Sequence, residues 1–223
     1  MSTLKLRDVE VRRGTRTLVS GVQLDARPGD LIALRGPSGC GKTTILRAIA
    51  GLDPFAAGTI EVGNARLDAG RRPDREMVHR LHRSVGLVFQ FHCLFEHMSA
   101  LQNVCLAPVH VYGAPQHTAE HAGRELLRQL GVESRAGAWP RELSGGEAQR
   151  VAIARALAVN PPVLLMAEPM ASLDAARRAE LGELLQRLTE SGRTLLVTTH
   201  DERFAEEFAT RVLTIDDGKL IGG

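Results

Sequence analysis

The stretch GPSGCGKTT at residues 36–44 combines glycines, a lysine and a threonine in the pattern of a phosphate-binding loop. Glycines let the backbone curl so that successive N–H groups point inward around phosphate oxygens. The Lys42 ammonium would reach the β and γ phosphates of a nucleotide, and the Thr43 hydroxyl would bind Mg²⁺. The predicted nucleotide-binding residues of this loop are Gly36, Ser38, Gly39, Cys40, Gly41, Lys42, Thr43 and Thr44.

The elements around the loop support a nucleotide site. Residues 30–36 are an apolar run that predicts a buried strand, and residues 42–50 predict a helix whose positive N-terminal end would face the phosphates. The alternative is a glycine-rich turn with no ligand. Cys40 lies inside the loop, where the N–H groups and Lys42 could lower the pKa of its thiol and create a redox switch. The alternative for Cys40 is a small side chain that fits the loop.

A second stretch, VLLMAEPMASLD at residues 163–174, carries a residue that could activate water. Its apolar run predicts a strand buried on both faces of a parallel sheet, and Glu168 follows directly after it. A carboxylate at this point could orient or deprotonate the water that attacks the γ-phosphate. Ala167, the residue before Glu168, cannot bind a metal ion. The sequence therefore leaves open whether the chain hydrolyses ATP or only binds it.

Composition narrows the functional classes. The chain has 223 residues, with 43% hydrophobic and 24% charged residues and a net charge of +2, which is ordinary for a globular protein and gives no nucleic-acid footprint. No apolar run approaches the roughly 20 residues that span a bilayer, and the N-terminus has no apolar leader segment. Three cysteines without CxxC spacing argue against a disulfide framework or a zinc site. We expect one cytosolic domain over residues 1–223.

Short strand-like runs alternate with longer helical ones, which predicts an α/β fold with a mainly parallel core sheet and a separate antiparallel sheet at the N-terminus. Gly and Pro punctuate the helical region after residue 98, and Asn-Pro-Pro ends the helix that Ser144 begins. The predicted strands are residues 3–11, 18–26, 30–36, 85–90, 163–166 and 194–200. The predicted helices are residues 42–50, 98–131 with a break at 112–116, 144–159, and the stretch from Asp174 to Gly192. A hairpin at residues 212–223 is predicted to close the fold.

The segment LSGGEAQRVAIARAL at residues 143–157 places a serine and two glycines at the start of a predicted helix. In isolation, Ser144 could be merely an N-cap. At this distance from the phosphate loop, the segment resembles the signature motif of ATP-binding cassette (ABC) ATPases. Further matches to this family are Gln90 with its Q-loop, Asp174 with its D-loop and His200 with its switch histidine. The resemblance extends over nearly the whole chain.

The resemblance implies a fold with a P-loop NTPase core, an N-terminal antiparallel β subdomain and a helical subdomain at about residues 92–160. It also implies ATP and Mg²⁺ as ligands, with Thr43 and Gln90 at the metal. The implied catalytic residues are Glu168, Gln90, which would sense Mg²⁺ and the attacking water, and His200, which would hydrogen-bond the γ-phosphate. The residues implied to contact nucleotide across a head-to-tail homodimer, with ATP at the interface, are Ser144, Gly145, Gly146 and Asp174.

Two longer segments, at residues 85–113 and 199–220, resemble the ATPases of polar amino-acid importers. In such systems the segment after the Q-loop glutamine receives a helix of the integral membrane subunits, and some also use a substrate-binding protein. This implies a cytoplasmic location, peripheral on the inner face of the cell membrane. The residues that would suit the groove are Phe89, Phe91, Leu94 and Phe95, for which plain core packing is the alternative. Cassettes of lipoprotein-release and macrolide-efflux systems also resemble this chain.

Three residues depart from the family pattern. Glu147 stands where glutamine is commoner in the signature, from which little follows. No aromatic residue precedes Phe55, so adenine would have to stack on an arginine such as Arg12 or Arg13. Ala167 stands where the family has an aspartate that helps to hold Mg²⁺. We expect ATP still to bind and hydrolysis to slow by about 100-fold or more, because a misplaced metal forfeits several kcal/mol of charge stabilisation.

Alternatives to this expectation remain open. Ala167 could pack at the strand end while a water molecule replaces the carboxylate, so that the chain hydrolyses ATP normally. The chain could instead be a nucleotide-binding module with little turnover, whose ATP-dependent dimerisation has a regulatory or structural role. An ABC ATPase that acts on DNA or ribosomes receives no support, because the chain is single, compact and near neutral.

Overall fold

A computed structural model of the chain describes residues 3–171 and 173–222. It contains two sheets and a set of helices, joined by short loops and two short 3-10 helices. In chain order the elements are β1 (Leu4–Arg13), β2 (Arg16–Ala26), β3 (Leu31–Arg35), α1 (Lys42–Ile49), β4 (Ala57–Val62), β5 (Ala65–Asp68), α2 (Arg75–Ser84), β6 (Val85–Val88), α3 (Ala100–His110), α4 (Gln116–Gln129), the 3-10 helices Glu133–Arg135 and Pro140–Glu142, α5 (Gly145–Leu157), β7 (Val163–Ala167), α6 (Ala175–Glu190), β8 (Thr194–Thr198), α7 (Glu202–Phe208), β9 (Arg211–Asp216) and β10 (Lys219–Ile221).

The larger sheet has six strands in the order β10-β9-β3-β8-β7-β6. Its strands from β9 to β6 run parallel, and β10 pairs antiparallel with β9. Other elements cover both faces of the sheet, so the side chains of successive β7 residues point into two different hydrophobic cores. Leu164 and Met166 pack in one buried cluster, whereas Leu165 and Ala167 pack in the other. The predicted α/β fold with a mainly parallel core sheet is confirmed.

The smaller sheet is antiparallel, with the order β2-β1-β4-β5. Strands β1 and β2 agree with the strands predicted at residues 3–11 and 18–26. They pair antiparallel, and Leu4 lies opposite Ala26 at one end of the pair. Strands β4 and β5 were not expected, because they have only six and four residues and carry charged side chains on their solvent face. Helix α1 packs between the two sheets, and its buried Ile45 and Leu46 join their shared core.

Helices α3, α4, α5 and α6 cover the opposite face of the large sheet and form the second core. The predicted break lies between α3, which ends at His110, and α4, which begins at Gln116. The predicted apolar stripe of α6 is also present, with Leu181, Leu184 and Leu185 buried. Among the described helices, none is both long and apolar enough to cross a membrane.

Candidate functional site

The phosphate loop joins the carboxyl end of β3 to the first turn of α1. Gly36, Gly39 and Gly41 adopt φ values of 146°, 81° and 108°, which favour glycine over any other residue. A Cβ atom on Gly36 would lie 2.8 Å from both Cys40 Sγ and Ile215 O, so the approach of the loop to β9 also requires glycine. Since Cys40 packs partly buried against Gly36 and the core, its position supports the interpretation that a small side chain fits here.

The Lys42 side chain is enclosed by the loop that precedes it. Only 8% of Lys42 is exposed, and its ammonium donates hydrogen bonds to the carbonyl oxygens of Gly36 (2.6 Å) and Pro37 (3.1 Å). Its Nζ also lies 3.9 Å from Glu168 Oε1. A buried ammonium requires such acceptors, and phosphate oxygens entering the loop would offer stronger ones. The following side chain, Thr43, is exposed at the first turn of α1, and Thr44 is half-buried.

Glu168 and His200 meet at the same edge of the sheet. Glu168 follows β7, and its N–H donates to Thr198 O (3.0 Å) and Thr198 Oγ1 (3.1 Å). These bonds hold Glu168 at φ 48°, a left-handed conformation that a non-glycine residue adopts rarely. Its Oε2 lies 2.9 Å from His200 Nδ1, with Glu168 15% and His200 72% exposed. The structure thus brings a lysine, a carboxylate and a histidine together beside the phosphate loop.

Ala167 ends strand β7 and pairs in register with Thr198 of β8. It is 4% exposed and belongs to the core cluster that includes Ile45 and Leu46 of α1. Its methyl group offers no ligand atom to a cation. A cation bound here would take its protein ligands from other residues, for which the sequence predicts Thr43 and Gln90.

Gln90 lies exposed just beyond β6, at the start of an irregular segment. The four apolar residues around it divide between surface and core: Phe91 and Phe95 are 82% and 43% exposed, whereas Phe89 and Leu94 are half-buried. Only Leu94 of these packs against the buried cluster. The exposed phenylalanines are consistent with a docking surface, and Leu94 with core packing.

Arg155 fixes the segment after Gln90 to helix α5. Its guanidinium donates to His92 O (2.8 Å) and Cys93 O (2.7 Å) and lies 5.7 Å from the centre of the Phe95 ring. His92 and Cys93 both have positive φ, at 60° and 50°. Burial lowers the pKa of Arg155 from its ordinary value. Sequence reasoning missed this residue because an arginine on a helix is most often a solvated side chain.

The signature segment begins helix α5 (Gly145–Leu157). Ser144 is the N-cap: its hydroxyl accepts from Glu147 N–H (3.3 Å), while Glu147 Oε2 accepts from Ser144 N–H (2.7 Å). This reciprocal pair confirms the predicted cap. Gly145 and Gly146 form the first turn. No hydrogen bond or ion pair among the described residues joins this segment to the three catalytic candidates.

The hydrogen bond from the Ser144 backbone lowers the pKa of the Glu147 carboxyl, and the charges of Arg135 and Arg177 act in the same direction. The Arg135 Nε atom lies 3.1 Å from Glu147 Oε1. The commoner glutamine at this position would be neutral. Glu147 therefore places a fixed negative charge in the first turn of α5.

Asp174 caps helix α6 and is exposed, with its Oδ1 accepting from Arg177 N–H at 2.9 Å. Ser172, in the same ASLD stretch, lies outside the described residues. Arg178 donates to Leu173 O (2.8 Å) and to Asp201 Oδ2 (2.9 Å). Because Asp201 follows His200, Arg178 connects the segment before α6 to the histidine loop, a link that spacing alone does not reveal.

Comparisons with known proteins identify the family and the fold. The family model described as ABC transporter matches residues 19–171. The L-cystine transport system ATP-binding protein TcyN of Escherichia coli is 38% identical over 99% of this chain and 89% of its own length. The arginine/ornithine transport ATP-binding protein AotP of Pseudomonas aeruginosa is 39% identical over 98% and 89%. A dimeric post-hydrolysis structure of the ATP-binding cassette MJ0796, bound to ADP and Pi, has a TM-score of 0.86 and 32% identity over 98% of each chain.

Proposed function

The chain belongs to the ABC transporter family, and from that premise we propose that it binds ATP through residues 36–44 and hydrolyses it to power a membrane transporter. The observation that carries the proposal is the convergence of Lys42, Glu168 and His200 beside the phosphate loop. Lys42 Nζ lies 3.9 Å from Glu168 Oε1, and Glu168 Oε2 lies 2.9 Å from His200 Nδ1. An anion in the loop and a carboxylate one side chain away are what phosphoryl transfer to water requires.

Each catalytic candidate has a defined task in this proposal. Lys42 pairs its buried positive charge with the phosphates, because the loop already offers only neutral carbonyl acceptors. Glu168, fixed by Thr198, orients the attacking water and accepts its proton. His200 holds the carboxylate in position and donates toward the γ-phosphate.

The side chains near the phosphate loop supply only some of the ligands that Mg²⁺ usually has in proteins. The Thr43 hydroxyl is exposed at the first turn of α1, and the exposed Gln90 amide lies at the start of the neighbouring loop. These two residues would hold the ion together with the phosphates, and Mg²⁺ would supply charge stabilisation of the transferring phosphoryl group. Ala167 adds no carboxylate, whereas Mg²⁺ in proteins is usually held through one or two carboxylates. We therefore propose that this chain hydrolyses ATP slowly.

The signature segment and Asp174 have a proposed role in a homodimer. Ser144, Gly145 and Gly146 present a hydroxyl and helix N-terminal N–H groups to solvent, as an anion site does, and Asp174 is exposed as well. In the proposed head-to-tail homodimer, these residues of one copy face the ATP held by the other copy. The dimeric structures of the cassette MJ0796, one of them bound to ADP and Pi, support the homodimer.

The proposed partner is the integral membrane part of an importer for polar amino acids, which is supported by relatives such as the L-cystine transport protein TcyN and the arginine/ornithine transport protein AotP. Phe91 and Phe95 are exposed after Gln90 and suit an apolar docking groove for a membrane-subunit helix. We propose that the chain lies on the inner face of the membrane and that residues 92–160 form the helical subdomain. A substrate-binding protein would supply the amino acid.

ATP binding and ATP-dependent assembly test the proposal directly. Purified Glu168→Gln protein is expected to bind ATP and to form dimers in sedimentation velocity, because the glutamine slows turnover and preserves the loop. Lys42→Ala should lose both properties, since it removes the charge that faces the phosphates. The matched control is Glu183→Gln, an exposed carboxylate on α6 that should behave as the unmodified chain. Failure of the unmodified chain to bind ATP would contradict the proposal.

A second function, a nucleotide-binding module with little turnover, is favoured by one observation, the buried methyl group of Ala167 in place of a metal ligand. Binding and dimerisation would then persist while hydrolysis stays undetectable even in Ala167→Asp.

A further inference from the structure

The Arg177 side chain lies directly beside Gly146, the second glycine of the signature. A Cβ atom built on Gly146 would be 3.7 Å from Arg177 Cδ and 3.8 Å from Arg177 Nη1. Arg177, in the first turn of α6, also lines a cavity of about 420 Å³ together with Ser144 and Gly146. The guanidinium therefore stands next to the N-terminal end of α5, where the signature segment presents its N–H groups.

The groups around this position are charged side chains of both signs and one buried amide. Glu147 carries a fixed negative charge in the same turn, and Arg135 and Arg177 both lower the pKa of its carboxyl. Arg150 and Glu180 also line the cavity as an ion pair, and Asp174 faces Arg177, so the charges beside the signature balance overall. The buried Gln149, which is 2% exposed, lines the same cavity, and its Nε2 atom has no hydrogen-bond partner among the described residues. An unpartnered buried N–H donor indicates a missing acceptor.

The present contacts of Arg177 leave it available for a ligand. Its Nε lies 3.5 Å from Asp174 Oδ2, and the two side chains are 52% and 63% exposed. Ion pairs between such exposed side chains contribute little stability. The Arg177 guanidinium can therefore leave Asp174 and bind a phosphate with little loss of stability. Its planar set of N–H donors matches the geometry of phosphate oxygens.

We propose that Arg177 contacts the terminal phosphate of the ATP that a second copy of the chain holds in its phosphate loop. The inference rests on the proposed head-to-tail dimer, because the guanidinium acts across the interface together with Ser144 and Gly146. Arg177 would add a positive charge next to the γ-phosphate, in a chain whose own metal site lacks the carboxylate at position 167. It thus makes dimerisation depend on the terminal phosphate.

The test compares variants in the Glu168→Gln background, which keeps ATP intact. Sedimentation velocity measures the ATP concentration at which half of the protein is dimeric. Arg177→Gln is expected to raise this concentration at least about tenfold, because a hydrogen bond to a charged group is lost. Arg177→Lys should recover part of the loss through its point charge. Arg187→Gln is the matched control, since Arg187 is an exposed arginine on α6 in an i,i+4 ion pair with Glu183.

The outcomes separate the two proposals. If the Glu168→Gln protein does not dimerise with ATP, the proposed dimer fails and the role of Arg177 fails with it. If it dimerises and Arg177→Gln behaves as Arg187→Gln does, only the role of Arg177 is overturned. Equal unfolding midpoints of the variants show that a loss of ATP-dependent dimerisation is not a folding defect. If Arg177→Gln is unstable, Arg177→Lys provides a variant that keeps the charge. A weakened response to ATP without a change for ADP supports the contact.

Discussion

At the residue scale, the chemistry of this chain depends on a few side chains held by backbone contacts. Glu168 keeps a left-handed φ of 48° because its N–H bonds to both oxygens of Thr198, and this turn aims its carboxylate at His200. Motif-specific spacing predicted the phosphate-loop residues, Glu168 and His200, and the structure brings Lys42, Glu168 and His200 together, while their catalytic roles stay predictions. Arg177 and Arg155 could not be predicted from the sequence, because contacts between distant helices have no local sequence pattern.

The Glu147 carboxylate should stabilise the start of α5 in a pH-dependent manner. Glu147→Ala removes both its hydrogen bond from Ser144 N–H and its ion pair with Arg135, and is expected to lower the free energy of unfolding by about 1 kcal/mol at pH 7. Because the folded pKa of Glu147 is lowered, this contribution is fully present above the unfolded pKa, about 4.3, and is lost as the pH falls through the folded value.

Urea unfolding of both proteins at pH 7 and at successively lower pH measures this difference. The control is Glu183→Ala, whose exposed ion pair with Arg187 should contribute little at any pH. A difference between the parent and Glu147→Ala that stays constant as the pH falls below 4 would show that the carboxylate charge is not involved.

At the element scale, the long buried strands and the helices with strong start signals were the predictable part. Strands β3, β7 and β8 are almost wholly apolar, and Ser144 and Asp174 cap their helices as expected. The strands β4 and β5 and the helices α2 and α7 were missed. Helix α2 has only one short apolar face, formed by Met77, Val78 and Leu81 among arginines and histidines, and only Leu81 is fully buried, so its sequence signal is weak. Tertiary packing, rather than local pattern, places these elements.

Arg155 should matter more to stability than an ordinary surface arginine, because it joins α5 to the segment after Gln90. Arg155→Lys keeps the charge but cannot serve the carbonyls of both His92 and Cys93 in the same geometry. We expect it to lower the free energy of unfolding by about 1–3 kcal/mol, since a part-buried acceptor loses its partner. Arg187→Lys on α6 is the control and should change little, as its pair is exposed.

Urea unfolding compares the two lysine variants with the parent chain. Equal destabilisation by Arg155→Lys and Arg187→Lys would contradict a special role for the link. A larger loss for Arg155→Lys would support the view that the proposed docking segment, with its exposed Phe91 and Phe95, is mechanically attached to the signature helix.

At the scale of the whole molecule, the six-stranded sheet separates two cores and aligns the carboxyl ends of β3, β7 and β8, where the catalytic candidates meet. The family resemblance predicted this architecture. We propose that the signature segment and Arg177 of one copy complete the nucleotide site of the other copy in the dimer. The sequence could not show that Ala167 is buried in the core that includes α1, with no ligand atom to offer.

The measurement that tests the central claim most directly is Mg²⁺-dependent ATP hydrolysis by the purified chain beside Ala167→Asp and Glu168→Gln, with ATP binding measured in all three. We predict that all three proteins bind ATP and that Glu168→Gln does not hydrolyse it. Ala167→Asp should hydrolyse ATP about 100-fold faster than the parent, because a carboxylate at this strand end completes the metal site. If the parent hydrolyses as fast as Ala167→Asp, or Glu168→Gln remains active, the account of this site is wrong.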